Sequence, residues 1–252
     1  VLGSGGTSHT VCAAAKRSGA REIVVVSRTG EVNYDNVRTL HGDVEVIVNT
    51  TPVGMYPHNG EAVIDLLRFP HCRAVVDLIY NPVRTELLLQ AEKLGIPCAN
   101  GMVMLAAQAI RASEIFTGKK AASGALEHAI DLVKSKTMNI VLIGMPSSGK
   151  STVGRALAER LGKRFADSDA LVTERIGMPI ADYFAQRGEA AFREREQEAV
   201  ADLAATGGQV IATGGGAILR PENVTALRRS GRLVFLDRSP EKLIATADRP
   251  LA

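Results

Sequence analysis

One loop constrains this 252-residue chain more than any other feature: Gly144-Met145-Pro146-Ser147-Ser148-Gly149-Lys150-Ser151. It fits GxxxxGK[ST] and lies between a β-branched run at 139–143 and a helical stretch at 151–161. The spacing has a physical reason. Glycines let successive backbone N–H groups wrap an anion, and the helix that follows adds the positive end of its dipole. Lys150 is then placed to reach the terminal phosphates of ATP, and the Ser151 hydroxyl to hold Mg²⁺. Gly144, Ser147, Ser148, Gly149 and Thr152 complete the expected ATP-binding set.

The strand–helix alternation around this loop recurs along the chain. Residues 23–27, 45–48, 74–78, 139–143, 209–212 and 233–236 read as strands. Residues 10–18, 85–94, 104–116, 151–161 and 189–204 read as helices, with Gly19 and Gly95 as C-terminal stops. Such alternation predicts the α/β class, with parallel sheets flanked by helices. A small, polar, basic stretch at 118–124, a short amphipathic helix near 126–133 and Lys134-Ser135-Lys136 interrupt the series. We therefore expect a first domain at 1–118, a linker at 119–136 and a second domain at 137–252.

Charge and cysteine usage narrow the partners. The net charge is +3 with no long Lys/Arg run, so small anions are expected as partners and nucleic acid is not. Cys12, Cys72 and Cys98 are odd in number and form no CxxC, which predicts neither a disulfide framework nor a zinc site but reduced core thiols in a cytoplasmic protein. No stretch reaches the roughly 18 apolar residues of a membrane span, and no secretory leader or membrane partner is expected. Val1-Leu2-Gly3 reads as the end of a strand, so residue 1 is expected to be an internal position of a longer chain.

Four further motifs follow the phosphate loop: Phe165-Ala166-Asp167-Ser168-Asp169, Phe192-Arg193-Glu194-Arg195-Glu196, Thr213-Gly214-Gly215-Gly216-Ala217 and Arg249-Pro250-Leu251. Taken singly, the second reads as a solvated helix face and the third as a turn. In this order they resemble the shikimate kinases, from about residue 138 onward. The resemblance implies that Asp167 holds Mg²⁺ through water and that Asp169 binds the acceptor hydroxyls. It also implies that Arg193 clamps the shikimate carboxylate, Glu196 orients that side of the pocket, and Gly215 lets the backbone approach. Arg249 takes the place of a lid arginine on the ATP phosphates. Lys150, Asp169 and Arg193 form the expected catalytic set. Two departures stand out: Thr246 occupies the place of an arginine that lies against adenine, and the chain stops at Ala252, short of the rest of the lid and a second carboxylate-binding arginine.

In the first domain, Gly3-Ser4-Gly5-Gly6-Thr7-Ser8 approaches GxGxxG, with Ser8 at the third glycine. An NAD site places an acid about 20 residues on, at the next strand end. Arg28 and Thr29 stand there instead, which suits the 2′-phosphate of NADP(H). Together with Asn49-Thr50-Thr51-Pro52, Asp77-Leu78-Ile79-Tyr80-Asn81-Pro82 and Asn100-Gly101-Met102 through Gln108, this succession resembles the shikimate dehydrogenases over about 1–118. The resemblance implies a Rossmann-type domain whose Gly3, Ser4, Gly5, Gly6, Thr7, Arg28 and Thr29 hold NADP. Leu78 and Gly101 would line the nicotinamide, and Tyr80 and Gln108 would touch shikimate. Taken alone, Gln108 reads as a helix surface residue. The family's substrate domain, with its catalytic Lys and Asp, has no counterpart here, and Glu31 and Val32 replace a second basic residue.

The two sets name one metabolite. The expected chemistry is reduction of 3-dehydroshikimate to shikimate by NADPH, then phosphorylation of shikimate by Mg-ATP, with this piece turning over neither substrate efficiently. The alternatives are a related sugar-acid kinase joined to a quinate-type dehydrogenase, and a non-catalytic nucleotide-binding protein. Oligomeric state is not legible.

Overall fold

The computed structural model describes residues 1–239, and the chain divides into two compact units, Val1–Leu132 and Val133 onward. In the first unit, α1 (Gly6–Arg17) springs directly from the glycine loop. It starts four residues before the expected position 10, because Gly6-Thr7-Ser8 has little helix propensity and is set by the loop; Ser8 donates from both N and Oγ to Gly5 O. A short α2 (Val37–His41) precedes β1 (Val46–Asn49) and β2 (Ala74–Asp77). Next come α3 (Glu86–Lys93), N-capped by the Thr85 hydroxyl, and β3 (Cys98–Ala99). α4 (Met102–Thr117) ends at Gly118, whose φ of 67° terminates the helix in the left-handed region.

The three strands pair in parallel in the order β1-β2-β3. Leu2 extends this sheet, bridging Asn49 on one side and Val26 on the other. The strand expected at 23–27 is thus reduced to a bridge at Val26, which lies at the sheet edge and pairs only with residues 1–3. Leu2, Val26, Ile47, Leu66, Val75, Leu87 and Leu88 form the buried core.

Helix α5 (Ala125–Thr137) runs through the boundary between the units and buries none of its residues. Its last turn is held by the second unit. Lys163 Nζ donates to the carbonyls of Ser135 and Met138, and Gly208 N donates to Thr137 O at 3.0 Å. The chain then enters β4 (Asn139–Ile143), followed by α6 (Lys150–Leu161), β5 (Arg164–Asp167) and α7 (Ser168–Ile176). α8 (Ile180–Ala205) is broken at Gly188, which has φ 78° and ψ 172°. β6 (Gln209–Ala212), α9 (Pro221–Ser230) and β7 (Gly231–Phe235) complete the described part.

All four strands are parallel, in the order β5-β6-β4-β7. Central β6 is buried at every residue, as expected of a strand covered on both faces. Val141, Val200, Ile211 and Leu227 pack one side of the core, each burial worth about 1.5–3 kcal/mol. The expected helix 189–204 is the second half of α8; its first half, α7 and α9 were not legible. α9 buries only Asn223 and Leu227, too few for a helical stripe. No helix among the described residues is long and apolar enough to cross a membrane.

Candidate functional site

In the second unit the carboxyl ends of β4, β5 and β6 gather the polar groups. The loop after β4 turns through Gly144 (φ 146°), Ser147 (φ 61°) and Gly149 (φ 93°). A side chain at Gly144 would put its Cβ 2.7 Å from Leu236 O, so only glycine allows the loop to leave the sheet there. Gly149 caps α6 without a side-chain acceptor, which leaves first-turn N–H groups for a ligand. Lys150 is buried, and its ammonium donates to the carbonyls of Gly144 at 2.9 Å and Met145 at 2.7 Å. The buried Ser148 Oγ has no protein partner. Ser151 Oγ donates to Asp167 Oδ2 at 2.6 Å, while Asp167 Oδ1 caps α7 by accepting from Asp169 N and Ala170 N. These groups fit a phosphate chain with its Mg²⁺. The unpartnered Ser148 hydroxyl is a polar group that such a ligand would satisfy, and a hydroxyl–carboxylate pair is the donor set such an ion takes up. Among the described residues no group of three or more His, Cys, Asp or Glu side chains could hold a metal without the phosphate.

Beside this loop lies a second cluster. Arg193 on α8 is 8% exposed and Glu196 only 1%. Arg193 Nη1 donates to Glu196 Oε2 at 2.7 Å, and its Nε and Nη2 reach Glu189 Oε1 at 3.3 Å. Burial alone would lower the Arg193 pKa, but the bonds and charge of Glu196, then Glu189, outweigh it and hold the guanidinium above its ordinary value. The segment after β6 threads between these side chains. A Cβ on Gly214 would lie 2.4 Å from Asp169 Oδ1, on Gly215 2.7 Å from the Pro146 ring, and on Gly216 2.5 Å from Arg193 Nη1. Each of the three glycines is thus crowded by a different neighbour, and a side chain at any of them would displace a group of this cluster.

In the first unit the loop is open. A Cβ on Gly5 or Gly6 would meet nothing within 4 Å, and α1 has no side-chain cap. Gly3, with φ 101°, packs against Thr50 and Thr51. Ser4, Thr7, Arg28 and Thr29 are exposed beside or beyond it. Gly101 lies against the Leu78 carbonyl, where a Cβ would come within 1.9 Å of the oxygen, so these two residues adjoin. Tyr80 and Gln108 are both exposed. Behind them Asp77 is wholly buried; it accepts from Asn49 Nδ2, Ile79 N and Thr85 Oγ1, and burial pushes its carboxyl above the usual range against these bonds.

Comparison with known proteins gives these clusters a lineage. The shikimate kinase family profile matches residues 146–252. A shikimate kinase of Moorella thermoacetica is 50% identical over 117 residues, which cover 45% of this chain and 68% of that protein. Through its second unit, the chain belongs to the shikimate kinase family. A shikimate kinase of Symbiobacterium thermophilum is 58% identical over 106 residues, 42% of this chain and 61% of its own length, so the chain spans about three-fifths of that kinase. A solved chorismate mutase/shikimate 5-dehydrogenase fusion protein from Clostridium acetobutylicum is also similar, at 33% identity with a TM-score of 0.50. That match covers 53% of this chain and 52% of the other. The architecture accordingly joins a Rossmann-like unit to a phosphate-loop kinase unit.

Within the kinase unit the structure brings Lys150, Ser151, Asp167, Asp169, Arg193, Glu196 and Gly215 to one end of the sheet. Arg249 and Thr246 lie outside the described residues. Sequence reasoning missed Gly214 and Gly216, whose signal was their place in the triple glycine, and Ser168, whose signal was its place between two aspartates. It also missed Arg238, which donates to Ser147 O at 3.0 Å just past β7.

Proposed function

We propose that the second unit phosphorylates shikimate with Mg-ATP, and that the first is the NADP-binding part of a shikimate dehydrogenase, so that one cytoplasmic chain carries two successive steps. The carrying observation is a carboxylate (Asp169) and a carboxylate-paired guanidinium (Arg193) converging on Gly214–Gly216 beside a phosphate loop. The planar Arg193 fork suits the shikimate carboxylate. Asp169 positions the 3-hydroxyl and takes its proton as that oxygen bonds the γ-phosphorus and the bond to the β,γ-bridging oxygen breaks. Lys150 leaves the Gly144 and Met145 carbonyls for the terminal phosphates, and the backbone of Ser147–Thr152 cradles the chain. Mg²⁺ would be held by Ser151, with Asp167 behind it through water, and would neutralise charge on the phosphates.

In the first unit, Gly3–Thr7 would receive the pyrophosphate, Arg28 and Thr29 the 2′-phosphate, Leu78 and Gly101 the nicotinamide, and Tyr80 and Gln108 the shikimate. The open loop and the Gly101–Leu78 contact support this, together with the dehydrogenase-bearing relative. An acceptor screen tests the kinase half: shikimate is expected to give the highest kcat/KM among ring hydroxy acids, and a preference for quinate or another acid would overturn the assignment. Calorimetric titration with NADPH and NADH tests the other half, with NADPH expected to bind more tightly.

A further inference from the structure

We propose that Ser168 is a positioning residue for the phosphoryl acceptor, fixing the spacing between Asp169 and the Gly214–Gly216 segment. This rests on the kinase reading above and adds to it a residue that touches neither substrate.

Ser168 is the first residue of α7 and is fully buried. Its neighbours in sequence face different tasks: Asp167 pairs with Ser151 on the phosphate side, and Asp169 lies against Gly214 on the acceptor side. The Ser168 hydroxyl oxygen accepts from Gly214 N at 2.8 Å, a bond spanning 46 residues between the start of α7 and the loop after β6. Immediately before it, Thr213 N and Oγ1 donate to Leu142 O, anchoring the loop's entry to the central strand. Gly214 is therefore the last backbone position tied down before the two glycines that contact Pro146 and Arg193.

A buried N–H left without a partner is costly, so loss of the Ser168 hydroxyl would move the loop until Gly214 found another acceptor or water. Two carboxylate oxygens crowd this residue, Asp169 Oδ1 and Glu196 Oε1, at 2.4 and 3.1 Å from the position a Gly214 Cβ would take. Capture by either would divert a carboxylate that the acceptor site uses and shift Gly216 against the Arg193 guanidinium. The phosphate loop meets this segment at Pro146, against Gly215, whereas its Lys150 and Ser151 are held by Gly144, Met145 and Asp167, so the ATP site is expected to change less than the acceptor site.

The test is calorimetric titration of the whole chain with shikimate and, separately, Mg-ATP, for the wild type, Ser168→Ala, Ser168→Thr and Ser168→Cys. Thermal midpoints are recorded beside each. Ser168→Ala is expected to weaken shikimate binding by about ten- to a hundredfold and leave ATP binding within about twofold. Ser168→Thr, which keeps the oxygen, should restore affinity, and Ser168→Cys, with a weaker acceptor of similar shape, should fall between. If the alanine variant does not fold, the threonine–cysteine difference carries the test. Wild-type affinity in the cysteine variant, or equal loss of both ligands across the series, would overturn the proposal. Failure of the wild type to bind shikimate at all would overturn the kinase reading itself.

Discussion

The two glycine loops of this chain solve one problem in different ways. Both lead into a helix whose N-cap is glycine and has no side-chain cap, Gly5 before α1 and Gly149 before α6, so both present free N–H groups to an anion. The loop of the second unit also carries its own cation, buried Lys150, which satisfies two loop carbonyls. The first turn of α1 contains no Asp, Glu, Lys or Arg, and Lys16 and Arg17 sit at the helix's far end. Its candidate cation, Arg28, is exposed on a neighbouring segment beyond Val26. A site that keeps its charge inside the loop is fixed by eight consecutive residues. A site that borrows its charge depends on how the sheet sets one segment beside another.

Three substitutions would break or sharpen this contrast. The largest effect is expected from Lys150→Ala, which removes the internal cation: phosphorylation of shikimate should fall by about 10²–10³-fold or more, with NADPH binding to the first unit unchanged. Retention of full kinase activity would remove Lys150 from the transfer. Next comes Arg28→Asp, which removes the borrowed cation and supplies the acid an NAD site would have. A charged hydrogen bond is worth about 1.5–3 kcal/mol, so affinity for NADPH should drop about ten- to a hundredfold relative to NADH. An unchanged cofactor ratio in paired titrations would show that the 2′-phosphate lies elsewhere.

The smallest effect concerns Asp77, behind the first unit's site. Burial raises its carboxyl above the ordinary 3.8, so the folded state favours the protonated form. Its stabilising contribution is complete below that value and is lost as pH rises through the raised folded value. Asp77→Asn cannot ionise. Its urea midpoint relative to wild type should therefore improve as pH rises above the ordinary carboxylate value of 3.8, and a difference that stays constant with pH would show that Asp77 does not titrate differently on folding.

This contrast also explains what was legible in the sequence. Residues 139–143 and 209–212 declared themselves as strands because central parallel strands are continuous apolar runs, whereas 23–27, equally β-branched, holds only one bridge at a sheet edge. Lys150, Ser151 and Gly149 could be placed from spacing alone. Asp169, Arg193 and Glu196 are separated by up to 27 positions from one another and lie 18 to 45 positions before Gly214, so only an ordered set of motifs linked them. Ser168 was hidden because its partner is a backbone N–H, which no side-chain pattern advertises. α7 escaped because it is only nine residues long with a polar start, and the first half of α8 because the break at Gly188 interrupts the helical period.

The last turn of α5 has a practical consequence for anyone dividing this polypeptide. The carbonyls of Ser135, Thr137 and Met138 are held by Lys163 and Gly208, and Gly207 and Gly208 are small because a Cβ there would strike Thr137 O and Lys136 O. A cut placed at Met138, where the first strand of the phosphate-loop fold starts, would strip two glycines and a lysine of the surface they are shaped to receive. A cut placed upstream of Ala125 leaves that last turn in place, at the cost of moving Ala125–Leu132 out of the first unit. An expressed half that begins there keeps the helix as its own doorstop.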